Sequence, residues 1–256
     1  MEFSVEAAAI EVLADHLSLR RSWQPFVPQH VGKTTDERRV YVEQVWSGLR
    51  ADGLLDGERL NDDVESALRV WSAPEVLVVV RADQDFDPPR VLYRAAANRH
   101  LGVFSQQDGE RIRFELMQPD RLIEYVTGMM PQLGPVPVRR HSEIVRGAQR
   151  ASSGDGELPT VAEQARAEAH RDSEGLRAFA QWPVVLFGGY ELHLREQGRM
   201  RHVGTMQFFD TEGGRYVVTD EPVSGGKRRL EFIPSDGSDI RRWLHEEVSF
   251  WRRDQG

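Results

Sequence analysis

Residues 208–221 read FFDTEGGRYVVTDE, and two architectures fit those letters. As a catalytic or phosphate-cradling turn, Asp210, Thr211, Arg215 and Asp220 would supply the polar groups. As a β-hairpin, Phe208, Phe209, Tyr216, Val217 and Val218 would supply the strands. A phosphate loop needs several glycine amides aimed at one anion and leading directly into a helix. Here Gly213 and Gly214 lie between two alternating segments, and no helix follows. Met206 and Phe208 point one way while Thr205, Gln207 and Phe209 point the other, which is the period of a strand. The tripeptide EGG offers the positive φ values of a tight turn. Asp210 and Thr211 offer side chains that bond local backbone. The hairpin reading follows, and it turns Asp210 and Arg215 into residues that fix a turn.

Working outward, strand-like runs surround this hairpin: YELHLRE and RHVGTMQFFDT before it, RRLEFIPS after it. A two-residue turn at Gln197-Gly198 would place His193 opposite His202. The chain then ends on an amphipathic helix carrying Ile240, Trp243, Leu244, Val248 and Trp251 on one stripe. The same grammar occurs earlier. EVLVVVR, RVLYRAAANR, HLGVFSQQ and RIRFELM read as strands, with a hairpin signal at Asp108-Gly109. QPDRLIEYVTGMM then repeats the proline, aspartate and amphipathic helix of the C-terminal end.

Helices precede each strand block. Residues 2–5 admit a short strand before a first helix through Leu17. Thr34 and Glu37 form a capping box opening a helix striped with Val42, Val45, Trp46 and Leu49 and stopped by Gly53. Asn61 or Asp62 caps another, with Val64, Leu68 and Trp71 inside. Thr160 and Glu163 form a second capping box. The expected fold is therefore α+β: a pseudo-two-fold duplicated unit with a central antiparallel sheet flanked by N- and C-terminal helical bundles. Residues 1–133 form one helix–sheet–helix half and 161–256 the other, within one compact domain. A connecting segment, 134–160, has a middle that reads as a short helix and ends in a mobile loop, ASSGDGELP.

Composition narrows the function. With 256 residues and 39% hydrophobic content, the chain can bury a sizeable core. Its net charge of −8 disfavours a nucleic-acid backbone as partner. The absence of cysteine removes thiol catalysis and cysteine-ligated zinc. No apolar run approaches the roughly 20 residues that span a bilayer, so no membrane insertion and a cytoplasmic location are expected. His193 and His202 lack the third ligand a catalytic zinc needs. GxSxG, SxxK, GxxxxGK[ST] and GxGxxG are all missing. The reading is therefore non-enzymatic, with no cofactor and no metal. The rival reading is a small-molecule site or enzyme pocket between the halves, built on Asp210, Arg215, His193 and His202. A third is a scaffold that dimerises through a sheet edge.

Three segments, GKTTDER (Gly32–Arg38), VLYRAAANRHLGVF (Val91–Phe104) and FFDTEGGRYVV, in this order and spacing, resemble the EspG family of ESX (type VII) secretion-associated proteins of actinobacteria. The family's D-T-x-x-G-R-Y turn corresponds to Asp210, Thr211, Gly214, Arg215 and Tyr216. The resemblance implies a cytoplasmic chaperone that grips the apolar tip of a helical PE/PPE-like heterodimer, or a WXG100-like substrate, and keeps it soluble for export. A monomer or weak homodimer is expected. The expected contact residues are Gln84, Asp85, Phe86 and Asp87 in the acidic loop Ala82–Pro89, with His193, Met200, His202 and Met206 on the sheet.

Overall fold

The computed structural model describes residues 1–27, 30–84, 91–146 and 174–254. Twelve strands and six α-helices occur among them. In chain order they are β1 (Glu2–Glu6), α1 (Ala9–His16), α2 (Thr35–Ala51), β2 (Leu55–Asp56), β3 (Arg59–Leu60), α3 (Asp62–Ser72), β4 (Val76–Gln84), β5 (Val91–Ala97), β6 (Gly102–Asp108) and β7 (Arg111–Met117). There follow a short 3-10 turn, α4 (Leu122–Gly128), β8 (His141–Arg146), α5 (Glu174–Ala180), β9 (Val184–Glu196), β10 (Arg199–Thr211), β11 (Gly214–Val223), β12 (Lys227–Pro234) and α6 (Ser238–Asp254).

Ten strands form one continuous antiparallel sheet in the order β1-β7-β6-β5-β4-β9-β10-β11-β12-β8. The sheet is continuous because β4 and β9 pair from Val76↔Leu194 to Gln84↔Leu186. That close approach has a steric condition at Gly188. A Cβ there would sit 2.3 Å from the Arg81 carbonyl oxygen and 2.7 Å from Ala82 Cβ.

The helices stop where their ends are satisfied. Thr34 Oγ1 accepts from Glu37 N–H at 3.2 Å, and Glu37 Oε2 accepts from Thr34 N–H at 3.1 Å. At the other end of α2, Leu54 N–H donates to Leu49 C=O and Gly53 N–H to Arg50 C=O, with Gly53 at φ +70°. That double bond is a Schellman closure, and the buried pair Leu49 and Leu54 supplies its apolar contact. Asn61 caps α3 by accepting from Asp63 N–H.

Side-chain alternation assigns the strands two faces. Leu77, Val79, Ala96, Val103, Ile112 and Phe114 join Phe3, Val5 and the buried stripes of α1, α2 and α3. On the opposite face Val78, Val80, Tyr190, Leu192, Met206 and Phe208 pack with Leu122 and Val126 of α4 and Ile240, Leu244 and Trp251 of α6. A third cluster, Phe209, Tyr216, Val218, Leu230 and Phe232, lies back on the first face under Phe179 of α5. The helices therefore form layers on both faces of one sheet.

The middle of the connecting segment differs from expectation. Residues His141–Arg146 form β8, the outermost strand beside β12, not a helix. HSEIVR is too short to show a helical stripe, and its partner lies some 85 residues on in sequence, so only the pairing reveals it. The ASSGDGELP loop (151–159) and the Thr160–Glu163 pair lie outside the described residues.

Candidate partner-binding surface

The hairpin at residues 208–221 forms around the register Phe209↔Tyr216, Asp210↔Arg215 and Thr211↔Gly214. Thr211 Oγ1 donates to Gly214 C=O at 2.7 Å and accepts from Gly213 N–H at 3.2 Å. Asp210 does not bond the turn backbone as its residue type suggested. Its carboxylate instead takes a two-pronged bond from Arg215, Nε to Oδ1 at 2.5 Å and Nη2 to Oδ2 at 2.7 Å, with both side chains buried. The two glycines also divide their work differently from expectation. Gly214 carries the positive φ, +124°. Gly213 supplies space: a Cβ there would lie 2.4 Å from the Trp182 ring.

The second hairpin places His193 opposite His202, with ring centroids 5.1 Å apart. Its turn residues, Gln197 at φ +48° and Gly198 at φ +78°, are both in the left-handed region, the pattern of a type I′ turn. A bulge between His202 and Gly204 keeps both histidines on the first face. There Glu191 receives a bond from Arg81, His193 Nε2 lies 3.5 Å from its other oxygen, and His202 Nε2 meets Thr205 Oγ1 at 3.0 Å. Burial raises the Glu191 pKa. The hydrogen bond to His193 and the charges of Arg81, His193 and His202 outweigh that and hold it below the ordinary value.

Of the residues expected to contact a partner, His193, Met200 and His202 lie on this face or at its end. Met200 packs partly against the α1–α3 cluster. Met206 does not belong with them. It is 7% exposed on the opposite face, packed beneath the α4 and α6 layer, because alternation from Phe208 sends it there. Asp85, Phe86 and Asp87 lie outside the described residues, and the Ala82–Gln84 part of their presumed loop is the end of β4.

The rival pocket does not assemble. Asp210 and Arg215 lie on the α4 and α6 face, where the guanidinium covers the Phe208 ring at 5.7 Å. His193 and His202 occupy the other face, eight residues back along β10. Among the described residues no group of three or more histidine, aspartate or glutamate side chains is placed to hold a metal, and no helix is long and apolar enough to cross a membrane.

Sequence reasoning missed the buried Arg94 altogether. It sits under Trp71, donating from Nε (3.2 Å) and Nη2 (2.6 Å) to the Trp71 carbonyl and from Nη1 to the Gln24 carbonyl at 2.6 Å. Its guanidinium lies over the indole at 5.0 Å, and burial pushes its pKa down to about 9. It anchors the end of α3; a charge within an apolar run was the only available signal.

A ten-stranded antiparallel sheet with helices on both faces and a half-buried polar strip at its centre defines an α+β fold. Against known families, residues 6–246 match the EspG family model, and the chain belongs to that family. EspG proteins are type VII secretion chaperones, not enzymes. Among solved structures, the chain is similar to the Mycobacterium tuberculosis type VII secretion system chaperone EspG5, solved in complex with the PE25-PPE41 dimer. That match has a TM-score of 0.63 at 12% identity and covers 95% of this chain and 94% of that one. A sequence search of curated proteins gives no match.

Proposed function

We propose that this chain is a cytoplasmic chaperone of an ESX system that binds the apolar tip of a helical PE/PPE-like pair and keeps it soluble until export. The observation that carries the reading is family membership across almost the whole chain, joined to a fold shared with a chaperone that was solved holding such a dimer. The chemistry agrees with it. A protein that masks an apolar tip needs a shaped surface with a polar rim, and no reacting groups. Co-expression with a candidate PE/PPE-like pair from the same source should yield one stoichiometric complex on gel filtration. Elution of chaperone and pair as separate species, across all such pairs, would sink the reading.

We also infer that the chain is a duplicated unit, residues 1–133 and 161–256 joined by 134–160. The strand order supports this: four consecutive strands, β4–β7 and β9–β12, run outward on each side of the β4–β9 seam. An earlier strand closes each edge, β1 from the first unit and β8 from the connecting segment. Each block then leads through a proline and an aspartate, Pro119-Asp120 or Pro234 and Asp236, into a helix on the same face of the sheet.

A further inference from the structure

Five residues of the central strands, Arg81, Gly189, Glu191, Thr205 and Gln207, fall between the two apolar clusters of the first face and belong to neither. The register sets them in two rows, Val79–Glu191–Thr205 and Arg81–Gly189–Gln207, across β4, β9 and β10. The α1–α3 layer stands on one side and α5 on the other. The strip is thus recessed by roughly the 10 Å diameter of a helix. Its floor is bare at Gly189. A Cβ there would meet only Thr205 Cγ2 at 3.4 Å, the Met206 carbonyl at 3.8 Å and Gln207 Cγ at 3.9 Å, all ordinary contacts. The glycine is therefore not needed for strand packing, unlike its neighbour Gly188.

One polar atom of this trough, Gln207 Oε1, is shut off from water without a hydrogen-bond partner. Such atoms are uncommon in a folded protein, because burying an unpaired acceptor costs free energy. The charged groups nearby are already committed to each other: Arg81 donates to Glu191, and His193 stands beside the same carboxylate. A further charged group would have to shed its water without a counter-ion. A neutral donor would complete Gln207 without that penalty.

We propose that the Gly189-floored trough is the subsite where this chaperone reads a neutral hydrogen-bond-donating side chain, serine, threonine, asparagine or glutamine, on the helical tip of its PE/PPE-like partner, with Gln207 Oε1 accepting. The proposal rests on the function inferred above. A narrow tip fits between two helical layers, whereas the flat face of a second sheet would be held off by α1–α3 and α5.

The test uses the intact chain and the PE/PPE-like pair that co-expression yields. Affinity is measured by calorimetry and stability by thermal melting for the wild type, Gly189→Leu, Gly189→Ala, Gln207→Leu and Gln207→Asn. Gly189→Leu should bind at least about ten-fold more weakly at an unchanged melting temperature, and Gln207→Leu about five-fold more weakly. Gln207→Asn, which keeps a neutral carbonyl acceptor, should stay closer to wild type than Gln207→Leu. Gly189→Ala and the Gln207 pair keep the test open if Gly189→Leu does not fold. Wild-type affinity in Gly189→Leu and Gln207→Leu would overturn the subsite while leaving the chaperone reading intact. If the wild type binds no pair, the functional reading falls and the subsite with it. A wild-type dimer that Gly189→Leu converts to monomer would assign the trough to a second copy and overturn the proposal.

Discussion

At Arg215 a single guanidinium grips Asp210 with two bonds and the Pro131 carbonyl with a third, at 2.9 Å. Its backbone is used as fully: the N–H donates to Gly134, and the carbonyl accepts from Val136 and Ser235. One residue thereby joins the hairpin, the segment after α4 and the approach to α6. Removing one member of a buried ion pair leaves the other charge unpaired, which costs about 3–5 kcal/mol. Asp210→Ala should lower the unfolding free energy extrapolated from urea titration by that amount, and adding Arg215→Met should restore part of it. Arg94 differs because it has no carboxylate. Its charge is met by carbonyls and the Trp71 ring, so Arg94→Lys, which loses the planar fork, should cost about 2 kcal/mol in the same assay. Glu191 adds a pH dependence. Its carboxyl is held below its ordinary 4.5, so its contribution is present above that value and lost as pH falls through the folded value. As pH falls from 4.5 through the lower folded-state value, the stability advantage of wild type over Glu191→Gln should shrink. An advantage that stays constant across that range would show that Glu191 is not held charged by its neighbours. That Asp210 and Arg215 fix the turn was legible from the hairpin, but their ion pair was not, because the residue type of Asp210 pointed to local backbone. Arg94 was not, since its partners come from segments 23 and 70 residues away.

Element boundaries followed from local chemistry wherever the chemistry was local. The Thr34–Glu37 box, the Gly53 stop and the Gln197-Gly198 turn are interactions among residues a few places apart, so residue types alone located them. Strand β8 and the β4–β9 seam depend on partners far along the chain and left no local period to read. Adjacent glycines make the same point about neighbours. Gly188 and Gly189 look alike in sequence, yet an added Cβ would meet Arg81 O at 2.3 Å at the first and nothing nearer than Thr205 Cγ2 at 3.4 Å at the second. Gly188→Ala must push β4 and β9 apart and should cost about 3 kcal/mol, the range of core overpacking. Gly189→Ala should be neutral or slightly stabilising, since it reduces the freedom of the unfolded chain. Equal melting temperatures for the two variants would refute the steric account of the seam.

At the scale of the molecule the two inferred halves meet through a strand ladder. The β4–β9 pairing continues the sheet, and the α4 and α6 layer crosses the boundary with it: Val78 and Val80 of one half pack in the same cluster as Leu192, Phe208 and Leu244 of the other. His245 of α6 also meets Glu124 of α4 at 2.7 Å. Cutting the chain at the connecting segment would therefore strip both β4 and β9 of a neighbour and expose the apolar undersides of two helices. An unpaired apolar edge strand invites association with whatever other strand is available. Residues 1–133 and 134–256 expressed singly should be recovered as aggregates. Expressed together, they should assemble into a one-to-one complex of the intact chain's size, because each supplies the edge the other lacks. Light scattering on the separate pieces decides the matter. A stable, cooperatively melting monomer from either half would show that the halves are independent domains resting against each other, and that the continuous sheet is not what holds them together.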